Sequence, residues 1–593
     1  MKQIHKKAVS LFGQLLLVYM AGFSQNPIIQ TIYTADPAPM VYKDTVFLYT
    51  GHDQDHASYF DMRDWHIYST TDMVNWTDRG VGLSVKDFKW AEKDAWAGQC
   101  IYRDGKFYWY VPVNTKKYGM TIGVAVSDKP TGPFKDALGE PLIKGGWGYI
   151  DPTVYIDDDG AAYLYWGNPS LYYVKLNKDM TSYDQKLGVV KVPLNRSGFG
   201  TRIIDADHTF GWADTVFVEQ AECYQNPGNH KYYWYVAAIE KASGKKVIGV
   251  AVGDKMIGPY RDVLGKPFIV QHVGAGNINP TVIVDAKKDT LLTWGNKQLF
   301  SVRLNAELLS YDKGQAVQQI AGDQLEEIRK QIAAASNSGA KRGSSYEEGP
   351  WFYKRQGKYY LIYPAGGVPE HLAYSMSTGP TGPWKYCDTI MRTIEKGGAF
   401  TNHPGVIDFK GQSFLFYHDG ALPDGGGFAR SVCVEPFDYN QDGCIPRVIP
   451  TKKGVGHSLA PLNPYIRQEA ETIAWEQGVK TAFGKNAGVY VTRIQNEGYI
   501  KVRGVNFNKG TVAIKAALAS DKTGGVIEVY VDHITHGAKI GTLRVQATGD
   551  LNNWQEQHTK LKSIQGIHDL YFVFKVPAGL SFNFNWWQIA PGL

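Results

Sequence analysis

Residues 150–167 read IDPTVYIDDDGAAYLYWG, and this stretch decides the fold class. Two runs rich in β-branched and aromatic residues flank an Asp-Asp-Gly turn, whose glycine can adopt a positive φ. Asp151 stands directly before Pro152 at the start of the first run, where the missing N–H of proline costs no ladder hydrogen bond. The stretch therefore predicts a β-hairpin that opens with a carboxylate.

The same plan recurs along the chain. Seven units begin 55 to 69 residues apart, at Asp36, Trp96, Asp151, Glu219, Asn279, Glu348 and His403. Four-stranded units that repeat at this period indicate the blades of a β-propeller. Because blades surround a central channel, we expect these opening residues to meet in one cavity.

Residues 199–318 resemble an internal duplication of residues 83–190. The 22 residues that begin at Ile122 and the 22 that begin at Ile248 are identical at 14 positions. The copy carries Asn279 where the original carries Asp151, and a neutral amide cannot do acid–base work. We expect the copied pair of units to be structural or to modify the cleft.

Composition excludes several classes of protein. The net charge is +6, from 63 basic and 57 acidic residues without a long basic run, so nucleic acid is not an expected partner. The five cysteines are odd in number and lack zinc-site spacing, so neither a disulfide framework nor a zinc site is predicted.

Residues 1–24 predict a signal peptide. Lys2, Lys6 and Lys7 precede a mostly apolar run over 9–23, which is too short for a confident membrane span. We expect export to the periplasm or the extracellular space, without membrane insertion.

Two domains are predicted after the signal peptide, a propeller over 25–455 and a β-sandwich over 456–593. The sandwich is indicated by strand-like runs over 525–531, 570–574 and 582–587. One helix is predicted over 323–335, followed by a flexible loop over 336–345.

Three carboxylates occupy matching unit positions, at Asp36, Asp151 and Glu348. Two carboxyl groups can split a glycosidic bond if one protonates the leaving oxygen while the other activates water or attacks directly. A third nearby carboxylate can raise the pKa of the donor by like-charge repulsion. A single Asp-Pro usually serves a turn, but three acids in register across repeats favour catalysis.

These motifs resemble those of glycoside hydrolase family 43. The carriers are ADP at 35–37, IDPT at 150–153, EEGPW at 347–351, NHPG at 402–405 and FARSV at 428–432. The resemblance implies an all-β, five-bladed propeller and an inverting, exo-acting glycosidase. In it, Asp36 is the general base, Asp151 the pKa modulator and Glu348 the general acid.

The resemblance also implies that Arg430 contacts the substrate or orients a carboxylate. We expect further substrate contacts at Trp96 and His403, which open two other units. No cofactor is required for the chemistry. Some family members hold a structural calcium near the axis, where His403 is expected, and an ordinary buried histidine is the equal alternative there.

The unit count departs from the family, because five blades are expected and seven units are present. The extra pair lies between Asp151 and Glu348, so either the ring is enlarged or the copied pair lies outside a five-bladed ring. Unit order makes Glu219 a rival acid, whereas motif context favours Glu348.

Residues 466–592 resemble carbohydrate-binding module family 6, a jelly-roll β-sandwich. The resemblance implies sugar contacts at Tyr499 and Asn583 and a structural calcium at Glu469 and Glu471, whose carboxylates suit that ion. Arg493 and Leu551 occupy the positions expected for an aromatic sandwich, which predicts weak sugar binding.

We therefore expect an exported enzyme that removes α-L-arabinofuranosyl residues from plant cell-wall polysaccharide or oligosaccharide. A β-xylosidase is the second hypothesis. A sugar-binding protein without catalysis is the third, and the intact set of acids argues against it.

Overall fold

The computed structural model describes residues 25–592 apart from 201–208, 255–259, 271–279, 285–288, 296–298, 312–317, 321–344 and 395. The predicted signal peptide, Asn279, the predicted helix over 323–335 and nearly all of the loop after it lie outside the described residues.

Sheets 1 to 3 are antiparallel and follow one another along the chain. Sheet 1 contains β1 (Thr34–Tyr42), β2 (Thr45–Asp53), β3 (Met62–Thr70) and β4 (Trp76–Ser84). Sheet 2 contains β5 (Gln99–Arg103), β6 (Lys106–Thr115), β7 (Gly119–Ser127), β8 (Lys135–Asp136) and β9 (Ile143–Lys144). Sheet 3 contains β10 (Thr153–Ile156), β11 (Ala162–Trp166), β12 (Tyr172–Leu176) and β13 (Val190–Lys191).

Sheets 4 to 7 continue this arrangement. Sheet 4 contains β14 (Ala213–Gln225), β15 (Tyr232–Glu240), β16 (Lys246–Gly253) and β17 (Arg261–Asp262). Sheet 5 contains β18 (Thr281–Val284), β19 (Thr290–Gly295), β20 (Leu299–Arg303) and β21 (Gln318–Ile320). Sheet 6 contains β22 (Trp351–Arg355), β23 (Lys358–Ala365), β24 (His371–Ser377) and β25 (Lys385–Met391), and sheet 7 contains β26 (Gly405–Phe409), β27 (Gln412–Asp419) and β28 (Ser431–Phe437).

The C-terminal sandwich pairs two further sheets. One contains β29 (Gln468–Glu469), β32 (Lys480–Gly484), β33 (Gly488–Thr492), β35 (Ala513–Ser520), β38 (Gln555–Lys560) and β40 (Phe582–Ala590). The other contains β31 (Trp475–Gln477), β34 (Tyr499–Asn506), β36 (Val526–Val531), β37 (Ala538–Arg544) and β39 (Ile567–Lys575), while β30 (Thr472–Ile473) joins sheet 1.

Helix is scarce in the described part of the chain. It is limited there to a 3₁₀ turn over Val85–Asp87 and a single α-helical turn, α1, over Arg196–Phe199. No described helix is long and apolar enough to cross a membrane.

The hairpin predicted over 150–167 is confirmed. Thr153 pairs with Tyr165 and Ile156 with Ala162, and Gly160 takes a φ of +81° in the turn between the strands. A positive φ is readily accessible only to glycine, which explains why this residue closes the turn.

First strands of five sheets contact one another. β1 contacts β5, β5 contacts β10, β10 contacts β22, and β26 contacts β1. The indole N–H of Trp351 in β22 donates to the carbonyl of Val406 in β26 at 3.2 Å. Sheet 6 thus lies beside sheet 3 in space, although sheets 4 and 5 separate them in sequence.

Sheets 4 and 5 repeat the internal contacts of sheets 2 and 3. The hydroxyl of Tyr110 donates to the carbonyl of Met180 at 2.6 Å, and that of Tyr235 donates to the carbonyl of Leu308 at 2.5 Å. β14 contacts β18 just as β5 contacts β10. The copied sequence therefore keeps the packing of the original.

The sandwich is fixed to sheet 1. β30 pairs with the outer strand β4, where Thr472 lies opposite Thr77 and their hydroxyls are 2.8 Å apart. The side chain of Asn75 both donates to the carbonyl of Arg503 at 2.9 Å and accepts from its N–H at 2.8 Å. Backbone pairing and buried side-chain hydrogen bonds join the two domains directly.

Candidate active site

Three residues that precede prolines share an unusual backbone conformation. Asp36, Asp151 and Gly349 have φ values of +52°, +58° and +51°. A residue before proline is normally extended, and a non-glycine residue at positive φ is strained by about 1–3 kcal/mol. Such strain is concentrated at functional sites, and here it occurs at Asp36 and Asp151, while the third motif takes the same conformation with a glycine.

Asp36 is buried and bound from two directions. Its carboxylate Oδ1 accepts a hydrogen bond from Nη1 of Arg430 at 2.8 Å. Its backbone N–H donates to Nδ1 of His418 at 3.2 Å, and Nε2 of that ring lies 2.8 Å from the carbonyl of Thr401. The His418 ring is therefore the neutral tautomer protonated on Nε2, and burial holds its pKa well below the usual value.

Arg430 is held in turn by Asp53. The backbone N–H, Nε and Nη2 of Arg430 donate to the Asp53 carboxylate at 2.9, 2.9 and 2.8 Å. Its guanidinium also lies 4.9 Å from the ring centroid of Phe60, within the range of a cation–π contact. The predicted substrate contact Arg430 is thus anchored beside Asp36.

Asp151 and Glu348 lie beside each other, as the contact between sheets 3 and 6 requires. The N–H of Gly349 donates to Oδ2 of Asp151 at 3.1 Å. The side-chain amide of Asn168 donates to Oε2 of Glu348. Glu348 is therefore brought directly beside Asp151, although sheets 4 and 5 separate the two acids in sequence.

Burial sets the electrostatics of the acids. It raises the pKa of Asp36 to about 6, while Arg430 opposes the rise and Asp53 adds to it. It raises the pKa of Glu348 to about 7, helped by the negative charge of Asp36 and opposed by the Asn168 hydrogen bond. The pKa of Asp151 lies well above its usual range because of burial first and the charges of Glu348 and Asp36 second.

Trp96 belongs to an aromatic cluster beside Arg430. Its indole N–H donates to the carbonyl of Phe60 at 3.0 Å, and the two rings meet edge to face. Phe60 meets Phe428 in the same way at 4.8 Å, and Phe428 meets Phe400 at 5.0 Å. The cluster offers apolar ring surface of the kind on which a sugar face can pack.

His403 lies against the third motif. A Cβ added to Gly349 would lie 2.8 Å from His403 Nδ1, so the ring fits only because this residue is glycine. Burial lowers the pKa of His403 to about 3, which keeps the imidazole neutral.

Sequence reasoning missed three groups around the acids, namely Asp53, His418 and Glu370. Oε2 of the buried Glu370 accepts from the N–H of Asn402 at 2.8 Å, and its pKa is raised by burial and by the charge of Glu348. A signal existed for two of them, since β2 and β27 both end in His-Asp, at 52–53 and 418–419.

The sandwich residues are placed differently from the prediction. Tyr499 is 3% exposed and packs on Tyr571, which leaves it little surface for a sugar. Asn583 is also buried and donates to the carbonyl of Leu551 at 2.8 Å. Three residues after Leu551, Trp554 meets Tyr490 edge to face at 5.1 Å. Neither residue was predicted as a sugar ligand.

Of the two predicted calcium ligands, Glu471 has the surroundings of a cation ligand and Glu469 does not. Oε2 of Glu471 is buried without a hydrogen-bond partner, as a cation ligand could be. Glu469 instead forms an ion pair with Arg467 at 2.8 Å. Within the described residues, neither glutamate belongs to a group of three acidic, histidine or cysteine ligands close enough to share an ion.

The rival acid lies in sheet 4. Glu219 is part of β14, at a break in the register between Phe217 and Ala221. β14 contacts β18 of the copied pair, whereas β22, which follows Glu348, contacts β10.

Buried carboxyl groups close together on an all-β frame fit the class of carbohydrate-cleaving hydrolases that work with two acids. The family model described as glycosyl hydrolases family 43 matches residues 24–223 and 205–445, and the chain belongs to that family. The model for carbohydrate binding module family 6 matches residues 469–591. The protein is therefore a glycoside hydrolase with an attached carbohydrate-binding module.

Characterised relatives carry related activities in their names. The chain is 24% identical over 627 residues to an arabinoxylan arabinofuranohydrolase of Bacillus subtilis (strain 168), across 95% of this chain and 92% of the relative. It is 28% identical over 436 residues to xylosidase/arabinosidase 43A of Humicola insolens, across 71% of this chain and 98% of the relative.

A solved structure shares the fold of the whole chain. The crystal structure of a Bacillus subtilis family 43 arabinoxylan arabinofuranohydrolase in complex with cellotetraose aligns with a TM-score of 0.59 at 23% identity. The alignment covers 96% of this chain and 98% of that one.

Proposed function

We propose that the protein is an exported, exo-acting, inverting α-L-arabinofuranosidase that acts on plant cell-wall polysaccharide or oligosaccharide. One observation carries the proposal: Asp36 is paired with a buried arginine, whereas the neighbouring acid Glu348 has the higher pKa. This difference supports Asp36 as the base and Glu348 as the acid.

Asp36 acts as the general base. The ion pair with Arg430 favours the charged carboxylate, although burial raises its pKa to about 6. Above that pH the carboxylate is mostly ionised and can accept a proton from the attacking water. Arg430 donates to the carboxylate and His418 accepts the backbone N–H of the same residue, so both the side chain and the backbone of Asp36 are held.

Glu348 acts as the general acid. With a pKa of about 7 it remains mostly protonated below neutral pH and can donate to the leaving oxygen. The Asn168 amide orients the carboxyl group through Oε2, which leaves the other oxygen for the substrate. The active form of the pair is thus most populated between about pH 6 and pH 7.

Asp151 orients Glu348. It accepts the N–H of Gly349, the residue next to the acid, and so fixes the backbone from which the acid projects. As the group with the strongly raised pKa, Asp151 shares protons with Glu348, and its protonation modulates the acid.

Five sheets form the catalytic ring in this proposal. The contacts among β1, β5, β10, β22 and β26 support a closed five-bladed propeller made of sheets 1, 2, 3, 6 and 7. Sheets 4 and 5, the duplicated segment within 199–318, then lie outside it. Residues 25–455 are the hydrolase domain and 456–593 the carbohydrate-binding domain.

Arabinofuranoside is the preferred substrate because the relative that aligns along nearly the whole chain is an arabinofuranohydrolase. Exo-action is supported by the burial of Asp36 and Asp151, each 6% exposed, which suits a pocket for a terminal sugar. A β-xylosidase remains the second candidate, because a relative at 28% identity is named for both activities.

Hydrolysis of 4-nitrophenyl α-L-arabinofuranoside and β-D-xyloside by residues 25–593 tests the proposal, with Asp36→Asn, which removes the proposed base, as the inactive control. We expect the arabinofuranoside to have the higher kcat/KM, with a maximum between about pH 6 and 7. Hydrolysis of the xyloside alone would favour the second candidate, and retained sugar binding without hydrolysis would favour a non-catalytic protein.

A further inference from the structure

A cluster of three ligand-type side chains lies on sheet 1, away from the acids. His52 is on β2, and Asp64 and His66 are on β3. Although His52 directly precedes Asp53, its ring contacts Asp64, whereas the carboxylate of Asp53 binds Arg430. The proposed catalytic residues do not include this cluster.

Both imidazoles point at the same carboxylate oxygen. Nδ1 of His52 lies 2.9 Å and Nε2 of His66 lies 3.4 Å from Oδ1 of Asp64. One ligand atom from each side chain lies within 4.8 Å of the others, and the two rings are 4.9 Å apart. In the described part of the chain this is the only such group of three.

The separations suit a shared ion. Zinc binds nitrogen and carboxylate oxygen at about 2.0–2.2 Å, so tetrahedral ligands lie roughly 3.3–3.6 Å apart. The 3.4 Å separation of His66 Nε2 from Asp64 Oδ1 falls in this range, whereas the 2.9 Å separation of His52 Nδ1 is that of a hydrogen bond and would lengthen when an ion binds. Calcium would require more oxygen ligands than the cluster offers.

We propose that His52, Asp64 and His66 bind a divalent transition-metal ion, of which zinc is the best fit. Two imidazoles with one carboxylate match the ligand preferences of zinc, nickel and copper. The side chains of His52, Asp64 and His66 are 20%, 26% and 13% exposed, so an ion can enter and water can complete the coordination.

An ion pair without metal is the competing explanation, since each imidazole can donate an N–H to Asp64. Nδ1 of His66 is buried without a hydrogen-bond partner in either arrangement, so the two explanations differ in how the Nδ1 atom of His52 and the Nε2 atom of His66 are used. Metal binding would instead use the lone pairs of His52 Nδ1 and His66 Nε2, which requires neutral rings. Binding should therefore weaken in acid, because protons compete with the ion for these lone pairs.

Calorimetric titration of the chelator-treated full chain with zinc chloride at pH 7.5 tests the site, and cobalt(II) absorption reports its ligand geometry. We expect one saturable equivalent, weakened at least about tenfold by His52→Gln and by Asp64→Asn, and weaker again at pH 5.5. The matched control is His533→Gln with His536→Gln, a stacked pair 5.0 Å apart on the C-terminal domain, which should leave zinc binding unchanged.

Two results would overturn the proposal. One is the absence of saturable zinc or cobalt binding by the wild-type chain. The other is zinc binding that survives in His52→Gln and Asp64→Asn, both shown to be folded by circular dichroism. Because metal binding is read directly, neither result depends on which sugar the enzyme hydrolyses.

Discussion

Replacing Asp53 with Asn tests whether the buried arginine sets the protonation of the base. Asp53 is 0% exposed and accepts three hydrogen bonds from Arg430 at 2.8–2.9 Å. Asparagine has a single acceptor oxygen, so at best it keeps two of these bonds and turns its NH₂ group toward a guanidinium donor. Since Asp36 still balances Arg430, we expect the free energy of unfolding to fall by about 3 kcal/mol, the lower end for a broken buried ion pair.

The Asp53→Asn substitution should move the acid limb of the kcat/KM profile in one direction only. Burial raises the pKa of Asp36 to about 6, Arg430 opposes the rise, and the charge of Asp53 adds to it. Without that charge the pKa of Asp36 falls, so the acid limb of the kcat/KM profile moves to lower pH. A move of one unit would raise kcat/KM at pH 5, relative to its maximum, about fivefold.

The assay for Asp53→Asn is kcat/KM on 4-nitrophenyl α-L-arabinofuranoside between pH 4 and 9, together with urea unfolding. The control is Asp61→Asn, which removes a carboxylate paired with the exposed Arg63 nearby. That variant should keep the wild-type profile. An acid limb in Asp53→Asn that stays at its wild-type position or moves upward would refute the assignment of Asp36 as the base under this electrostatic control.

Further outcomes are expected for the acid, the stereochemistry, the third motif and the sugar-binding domain. Glu348→Gln should lose about 10²–10⁴-fold in kcat/KM on unactivated substrates, and less on aryl glycosides with good leaving groups. Glu219→Gln should stay within a few-fold of wild type. The reverse pattern would assign the acid to sheet 4. Proton NMR of the first-formed sugar should show inversion, and a retained anomer would contradict the base mechanism. Gly349→Ala should destabilise the protein by roughly 1–3 kcal/mol in urea unfolding, because its Cβ would meet His403 Nδ1 at 2.8 Å at a φ of +51°, and an unchanged midpoint would show that the site relaxes freely. Affinity electrophoresis on arabinoxylan should show weak retardation that Trp554→Ala removes without changing hydrolysis of aryl glycosides; strong retardation that survives would place the sugar contact elsewhere.

The parts of the fold that sequence predicted are those set by local chemistry. The hairpin over 150–167 depends on alternating side chains and on the turn glycine Gly160, and both are readable within a few residues. The position of Glu348 beside Asp151 depends instead on which sheets pack together. The duplicated segment 199–318 has the sequence pattern of two ordinary blades. The sequence therefore does not indicate that sheet 6 packs against sheet 3.

Long-range partners of the acids were not predictable in the same way. The His-Asp pairs that end β2 and β27 mark the positions of Asp53 and His418, but their roles come from Arg430 and Asp36, hundreds of residues away in sequence. The conformation of Asp36 and Asp151 even opposes local expectation, because residues before proline favour extended backbone. Tertiary contacts hold them at positive φ.

The two-residue strand β30 holds the carbohydrate-binding domain in a fixed position relative to sheet 1, because it pairs with β4. A domain on a flexible linker raises the local concentration of polymer over a broad range of distances, whereas a domain joined by sheet pairing does so at one spacing and one angle. In the proposed enzyme, a polysaccharide that bound both near Trp554 and at the acids would be held with a defined stretch of its backbone beside Asp36 and Glu348. Short oligosaccharides gain nothing from the second domain, so the benefit of carrying it grows with the length and stiffness of the polymer.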